Sequence, residues 1–396
     1  MEFRFNCRTL SLNRERVVEH HGFRAEIMHR EGEPDHALRV MLSGKDFQME
    51  LLPSKGLSVG EVFYGGKPLF WEPPAGLPDP DGLNLTSGEI KINGETAEGF
   101  TYLKTFISGI ELYGLRNWGM PRTGEQTGEV HPLHGETSNI PVSEVTGLLD
   151  RDHAELKGTF LYRHFTRDAD GTWYERGEPL YQVTRKVVIP AGRSLFKVTD
   201  SIKNITGEVR IPDWGYHITF RPEDGSKLLV PSESVEERSG GEMPRDIETW
   251  HPAEDPRIRT ETGIIHKGLK IYRENGRKVN KVLMHYPSGR EISLTFPVAP
   301  YFQTWFCNGG ANTTEFTFAE TGRPVLTRNW DGQGIEIGSS PLDHDGNMDR
   351  SVDYRETLQP GEVLENEIRI EMLTGRQAKC LLNDIRSFNR KMRKNN

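Results

Sequence analysis

A histidine at the centre of an alternating stretch is the first residue whose surroundings could support chemistry. The stretch is IPDWGYHITF, residues 211–220. Successive side chains of a strand point to opposite faces, so His217 shares a face with Gly215 and Thr219 while the bulky apolar residues occupy the other face. Small neighbours on its own face leave room for a molecule to approach the imidazole. The alternative interpretation is a half-buried strand whose polar side faces water.

A glutamate has the same arrangement in the stretch GIEIG, residues 334–338. Alternation places Glu336 between the two glycines, with the two isoleucines on the opposite face. Glycine weakens the interior of a strand and often marks the close approach of a ligand. An imidazole and a carboxylate are the groups that general acid/base catalysis requires, so the two stretches together predict an acid/base pair.

A third candidate lies in a polar loop, in the segment HPLHG at residues 131–135. The glycine after His134 permits a tight turn that could direct the imidazole into a cleft, although a solvated loop histidine is the alternative. No HxH or HxxxH spacing with a nearby carboxylate is present, so we expect no metal. Walker A and Rossmann glycine patterns are also absent, and we expect no cofactor.

Charge and cysteine content restrict the partners and the compartment. The 396 residues include 50 Lys and Arg against 58 Asp and Glu, a net charge of −8, which argues against nucleic acid or an anionic membrane as a partner. The three cysteines are far apart, and neither a signal peptide nor an apolar run of about 20 residues is seen. These features predict a cytoplasmic protein.

The elements that must position these residues are predicted to be strands. The 41 glycines and 24 prolines are spread evenly along the chain, short alternating runs far outnumber helical ones, and no βαβ alternation appears. We therefore predict an all-β antiparallel fold. Part of it is a meander with strands at 145–149, 153–162, 180–189 and 195–204.

The tail has a different pattern. From Gly375 onward, apolar residues recur at helical spacing and basic residues flank them, which predicts an amphipathic helix. We expect a β-sandwich domain over residues 1–373 and a helix over residues 374–396. The helix would pack on the sandwich or, in a homodimer, on a partner subunit.

Several short motifs occur in order over roughly residues 40–372. They are LPSKGL (52–57) with YGG (64–66) and FW (70–71), GLRNWGMP (114–121), LHG (133–135) with SNIP (138–141), YHI (216–218), GIE (334–336) and LQPGE (358–362). Together they resemble the galactose mutarotase-like superfamily, the aldose 1-epimerases. Within it the chain looks most like an uncharacterised aldose-1-epimerase-like branch, catalogued as a domain of unknown function.

The resemblance implies a large antiparallel β-sandwich, the galactose mutarotase-like supersandwich, with a sugar in a cleft. In that reaction His217 would donate a proton to the ring oxygen and Glu336 would remove one from the anomeric hydroxyl, so that the ring opens and recloses as the other anomer. An ordinary histidine and glutamate would need little pKa tuning for these roles. His134 would bind a hydroxyl or the ring oxygen. Further substrate-binding candidates are Arg116, Asn117, Lys55 and Trp305.

The chain departs from the branch at three positions. Lys55 stands where the branch tends to have Arg, Glu136 where it has Arg, and Ile337 where it has Pro, all at positions expected to grip the sugar. Two alternatives to a mutarotase therefore stay open. One is a lyase or hydrolase on the same scaffold; a lyase acting on uronic acids would need several cations at the cleft, for which Lys55, Arg116, Arg122 and Arg221 are candidates. The other is a non-catalytic sugar-binding protein.

Overall fold

The structure is a computed structural model with side chains. It describes residues 1–6, 16–28, 39–71, 90–97, 99–100, 102–107, 109–123, 130–142, 144–167, 173–319, 321–343, 345–348 and 356–394.

Within these residues, two large sheets of antiparallel strands account for most of the structure. The first has ten strands. In spatial order they are Glu2–Asn6, Glu144–Leu149, His153–Arg167, Trp173–Pro190, Leu195–Asn204, Val363–Met372, Glu291–Pro297, Arg277–His285 and Lys227–Leu229, with Tyr272–Glu274 paired to Arg277–His285.

The second sheet has twelve strands in the described residues. In spatial order they are Ser234–Glu237, Thr260–Lys267, Tyr301–Asn308, Gly332–Gly338, Asp213–Phe220, Ile110–Leu115, Ser58–Tyr64, Phe47–Leu52, Arg39–Ser43, Phe23–Met28 and Arg16–His20, with Lys67–Pro68 paired to Ser58–Tyr64.

Smaller elements complete the described fold. Two short strands pair as a ribbon, and three more form a small sheet. The ribbon is Arg122–Thr123 with Val130–His131, the small sheet is Phe316–Phe318, Ile90–Ile92 and Glu95–Ala97, the 3₁₀ helices are Pro53–Lys55 and Thr137–Asn139, and the α-helices are Tyr102–Thr105 and Gly375–Met392.

The main hydrophobic core lies between the two large sheets. The bulky face of the strand Asp213–Phe220 contributes Tyr216 and Ile218 to this core, as its alternation predicts. A buried ion pair within the ten-stranded sheet is bonded to the other sheet beneath the site: the Arg185 guanidinium donates two 2.8 Å bonds to Asp200, and the Tyr216 hydroxyl of the twelve-stranded sheet donates to the same carboxylate at 2.9 Å. The prediction of an all-β antiparallel sandwich is confirmed.

The predicted meander is present, with longer strands than the sequence indicates. The observed strands are Glu144–Leu149, His153–Arg167, Trp173–Pro190 and Leu195–Asn204. The middle two are extended because their pairing resumes beyond an irregularity between Tyr162 and His164.

The predicted amphipathic helix is also present. It begins after Thr374, whose capping box with Gln377 satisfies the first turn. Its Ile385 is buried with Leu229 and Leu283 of the chain's own sandwich. The division into two domains stays a prediction. No helix among the described residues is both long enough and apolar enough to cross a membrane.

Candidate functional site

A row of four polar side chains crosses the middle of the twelve-stranded sheet. Glu111 pairs with His217, His217 pairs with Glu336, and Glu336 pairs with Gln303, each on the neighbouring strand. Residues opposite one another in such a register project to the same face, and this is the face away from the main core. Strand pairing therefore brings His217 and Glu336 side by side although they are far apart in the sequence.

The glycines beside these two residues are explained by aromatic side chains. A Cβ on Gly334 would lie 1.7 Å from the indole of Trp305, and a Cβ on Gly338 would lie 2.1 Å from that of Trp118. A Cβ on Gly215 would lie 2.4 Å from the ring of Tyr113. The space expected for an approaching molecule is thus filled by rings of the protein itself, and the small residues are required by packing.

A cavity of about 360 Å³ opens on this face. His217, Glu336, His134 and Trp305 all line it, so four of the seven predicted site residues come together at one place. Gln303 lines it as well, between Glu336 and the sheet edge. The volume is at the lower end of the range for small-molecule sites, roughly 300–1,000 Å³. We call this space the site cavity.

His217 is almost completely enclosed, with 6% of its surface exposed. Burial, with a further contribution from nearby His134, lowers the pKa of His217 to about 3. Its Nδ1 lies 3.4 Å from the Thr219 hydroxyl, and its ring centroid is 5.3 Å from that of Trp305. The imidazole is therefore neutral at physiological pH, in contrast to the little-altered histidine expected from the sequence.

Glu336 accepts a bond from a phenol and interacts electrostatically with a guanidinium. The Tyr113 hydroxyl donates to its Oε2 at a long 3.5 Å, and the pKa of Tyr113 is raised well above its ordinary value by burial and by Glu336. Burial lowers the pKa of Arg238, but Glu261 and Glu336 together outweigh that effect and raise it above its ordinary value. Glu336 is thus coupled electrostatically to Arg238, which also lines the site cavity.

His134 is held in one orientation by its backbone and its neighbours. Its φ is +58°, and its Nδ1 is 2.6 Å from the carbonyl oxygen of Trp118. A carbonyl oxygen only accepts, so Nδ1 carries the proton and Nε2 of the neutral ring is an acceptor. His134 can therefore accept a bond from a hydroxyl.

The amide of Gln303 has a defined orientation too. Its Oε1 accepts a 2.8 Å bond from the Tyr301 hydroxyl, which leaves its NH2 group as the donor for a ligand. Sequence reasoning missed Gln303. Gln303 lies two residues before Trp305 in the strand Tyr301–Asn308. Strand alternation therefore places both side chains on one face, and this is the signal that could have identified Gln303.

Sequence reasoning also missed two arginines of the site cavity. Arg238 donates a 2.6 Å bond to Glu261. Arg259 donates a 2.8 Å bond to Glu261, and two other nitrogens of its guanidinium each donate a 2.7 Å bond to Glu315. The strand Thr260–Lys267 that carries Glu261 was not predicted because its alternation is short and highly polar.

The structure does not bring Lys55, Arg116 or Asn117 to the lining of the site cavity. Lys55 is 1% exposed. Its ammonium lies 3.0 Å from the Glu111 carboxylate and donates a 2.8 Å bond to the side-chain oxygen of Asn139. Burial lowers the pKa of Lys55 although Glu111 raises it. The amide NH2 of Asn117 donates to backbone carbonyls, including that of Met120 at 2.9 Å.

The other departures from the branch also lie outside the lining of the site cavity. Glu136 is buried and accepts a 2.9 Å bond from the Tyr162 hydroxyl. Ile337 belongs to the main core between the sheets. Within the described ranges, no group of three or more His, Cys, Asp or Glu side chains is placed to hold a metal ion.

A family model described as "Domain of unknown function (DUF4432)" matches residues 36–311. The chain belongs to this family. The matched range includes His134, His217 and Trp305 but ends before Glu336, so the family assignment alone does not cover the proposed base. The search of curated proteins gave no match.

Solved structures share the fold of this DUF4432 chain at low sequence identity. A candidate aldose 1-epimerase from Klebsiella pneumoniae is 18% identical over 99% of this chain and 91% of its own, with a TM-score of 0.68. The Slr1438 protein from Synechocystis and a galactose mutarotase-like protein from Clostridium acetobutylicum are each 14% identical over 88% of this chain, with TM-scores of 0.54, covering 100% and 98% of their own chains. The fold is the galactose mutarotase-like sandwich.

Proposed function

We propose that this protein is an aldose 1-epimerase-like isomerase that interconverts the anomers of a free sugar in the site cavity. The observation that carries the proposal is the direct cross-strand pairing of His217 with Glu336, both reaching one cavity. No bond or ion pair joins them directly among the contacts of the described residues, so neither group occupies the bonding positions of the other. The names of the neighbouring structures support the same reaction class.

In this mechanism Glu336 removes the proton of the anomeric hydroxyl while His217 protonates the ring oxygen. The bond between the anomeric carbon and the ring oxygen breaks, the C1–C2 bond rotates, and the ring closes on the other face of the carbonyl. His134 accepts a bond from one sugar hydroxyl through Nε2, and Gln303 donates one through its NH2 group. The indole of Trp305 supplies an apolar surface beside the sugar ring.

The low pKa of His217 limits its ability to act as the general acid in this mechanism. With a pKa of about 3, His217 in the empty site is rarely in its doubly protonated, cationic form at neutral pH. A general acid works best when its pKa lies near the working pH. Catalysis at neutral pH therefore requires that the bound sugar raise the pKa of the imidazole.

Proton-exchange NMR at anomeric equilibrium tests the proposal directly. We expect the wild type to accelerate the α/β interconversion of one or more aldoses in a panel that includes acidic and deoxy sugars. His217→Ala and Glu336→Gln should each lose at least 100-fold of that rate, the usual contribution of a general acid or base. His251→Ala serves as a control, because the His251 side chain is exposed and does not line the site cavity. Unchanged rates in both site variants would refute the assignment.

A non-catalytic sugar-binding protein is the second candidate, and the neutral state of His217 is what favours it. In that case a sugar would show saturable line broadening without faster anomer exchange. For a lyase, none of the four candidate cations Lys55, Arg116, Arg122 and Arg221 lines the site cavity. A sugar as the partner, a cytoplasmic location and a homodimer stay predictions.

A further inference from the structure

One side of the site cavity is an apolar wall. Six residues form it: Phe100, Leu103, Phe106, Leu133, Phe316 and Trp330. They belong to a second hydrophobic cluster that is separate from the main core and is built largely from the helix Tyr102–Thr105, the small three-stranded sheet and the segment around Trp330. Within it the ring centroids of Phe106 and Trp330 are 5.3 Å apart.

The Arg259 guanidinium, which lies beside this wall, is bound in ion pairs. The guanidinium of Arg259 lies 5.0 Å from the ring centroid of Phe316 and 5.7 Å from that of Trp330. Each of its three nitrogens bonds a carboxylate oxygen of Glu261 or Glu315. Five of the six wall side chains are pure hydrocarbon, and the sixth, Trp330, carries only its indole N–H. A sugar hydroxyl placed against the five hydrocarbon side chains would therefore gain no hydrogen bond from them.

We propose that the site cavity takes a sugar that carries an apolar substituent, held against this wall while the anomeric end faces His217 and Glu336. The inference rests on the proposed function, because it takes the ligand to be a sugar. A buried hydroxyl without a partner is costly, whereas an apolar group in the same place gains from leaving water. Mutarotation needs a free anomeric hydroxyl, so the substituent lies at another carbon.

Two chemical sources supply such a substituent, and matched sugars distinguish them. One is the methyl group of a deoxy sugar, and the other is an alkyl group on a hydroxyl oxygen. The probes are galactose and glucose, each compared with its 6-deoxy and its 6-O-methyl analogue. Dissociation constants come from ligand-observed NMR titration of the whole chain, and anomer exchange is measured separately on the same samples.

We expect one apolar analogue to bind at least tenfold more tightly than its parent hexose, the scale of one methyl-sized group in an apolar pocket. Phe316→Ala should reduce that ratio severalfold. Phe318→Ala is the matched control, because Phe318 lies in the same strand and packs on the same cluster but does not line the site cavity. Leu103→Asn, at a half-buried position of the short helix, places a polar group in the wall and should also reduce the ratio.

The outcomes separate the two proposals. Tighter binding of an apolar analogue without faster anomer exchange would refute the isomerase and keep the apolar subsite. Equal binding of parent and analogues, or equal effects of Phe316→Ala and Phe318→Ala on the ratio, would overturn the apolar subsite even if exchange is accelerated. Failure of every sugar to bind would refute both.

Discussion

The imidazole of His217 shows how far burial changes a residue that looks ordinary in the sequence. We predict that His217 stays neutral down to about pH 4, because burial lowers its pKa to about 3. Two-dimensional NMR of the ring protons across a pH series measures this directly. His251, whose side chain is 63% exposed, gives a reference signal in the same spectra. Titration of His217 near pH 6.5 would contradict the buried environment.

The glycines flanking Glu336 allow a second test at single residues. Gly334→Ala should destabilise the fold by about 1–3 kcal/mol, the usual cost of overpacking, because its Cβ would overlap the Trp305 indole. Urea unfolding gives the free energy, and tryptophan fluorescence reports the displaced ring. Gly375→Ala, at a helix position with no heavy atom within 4 Å of the new Cβ, should be neutral or stabilising. Equal effects of the two substitutions would argue against the packing explanation.

Sequence reasoning identified the residues of the strands better than those of the loops. Alternation alone places His217 and Glu336 on the faces they occupy, because strand periodicity fixes direction. The motif around Lys55 indicates a family but not where the ammonium points. That direction depends on Glu111 and Asn139, which are 56 and 84 residues away in the chain. Contacts of this kind cannot be read from local pattern.

At the scale of elements, Lys55 connects three segments beneath the site cavity. It lies at the end of the 3₁₀ helix Pro53–Lys55, pairs with Glu111 of the strand Ile110–Leu115, and bonds Asn139 of a second 3₁₀ helix. Glu111 also accepts a 3.0 Å bond from the Tyr102 hydroxyl, and Tyr102 lines the site cavity. The pair thus supports the cavity wall from behind.

We predict that Lys55→Met destabilises the protein by about 3–5 kcal/mol, because it leaves the Glu111 carboxylate buried without its cation. The double substitution Lys55→Met with Glu111→Gln should recover part of the loss. Chemical denaturation of both variants and of Glu111→Gln alone completes the cycle. A direct sugar contact would give a different result: weakened sugar binding with unchanged stability.

The whole molecule is a pair of sheets whose class, but not whose strand order, follows from the sequence. Many short alternating runs with frequent Gly and Pro predict antiparallel β-structure. They cannot predict that Glu2–Asn6 pairs with Glu144–Leu149, or that Asp213–Phe220 lies between Ile110–Leu115 and Gly332–Gly338. These pairings join distant parts of the chain, and they are what assembles the row of polar residues at the site.

The burial of two histidines makes the stability of the whole fold depend on pH. His217 and His266 are both buried, and burial lowers the pKa of each to about 3. An unfolded histidine has a pKa near 6.5, so the unfolded chain binds these protons below that pH while the folded chain does not. Stability should therefore fall as the pH drops from about 6.5 to about 3. Each histidine lowers the free energy of unfolding by up to about 1.4 kcal/mol for every pH unit of decrease in this window.

His266 isolates this effect from the site, because it faces away from the site cavity and bonds the hydroxyls of Ser232 and Thr304. His266→Gln keeps a polar side chain there but cannot titrate. We expect the substitution to lower stability at pH 8 and the difference from wild type to shrink as the pH falls below 6.5. Urea unfolding at intervals between pH 8 and pH 4 measures both curves. Parallel curves across that range would mean that His266 is protonated equally in the folded and unfolded states, and burial would then not control its charge.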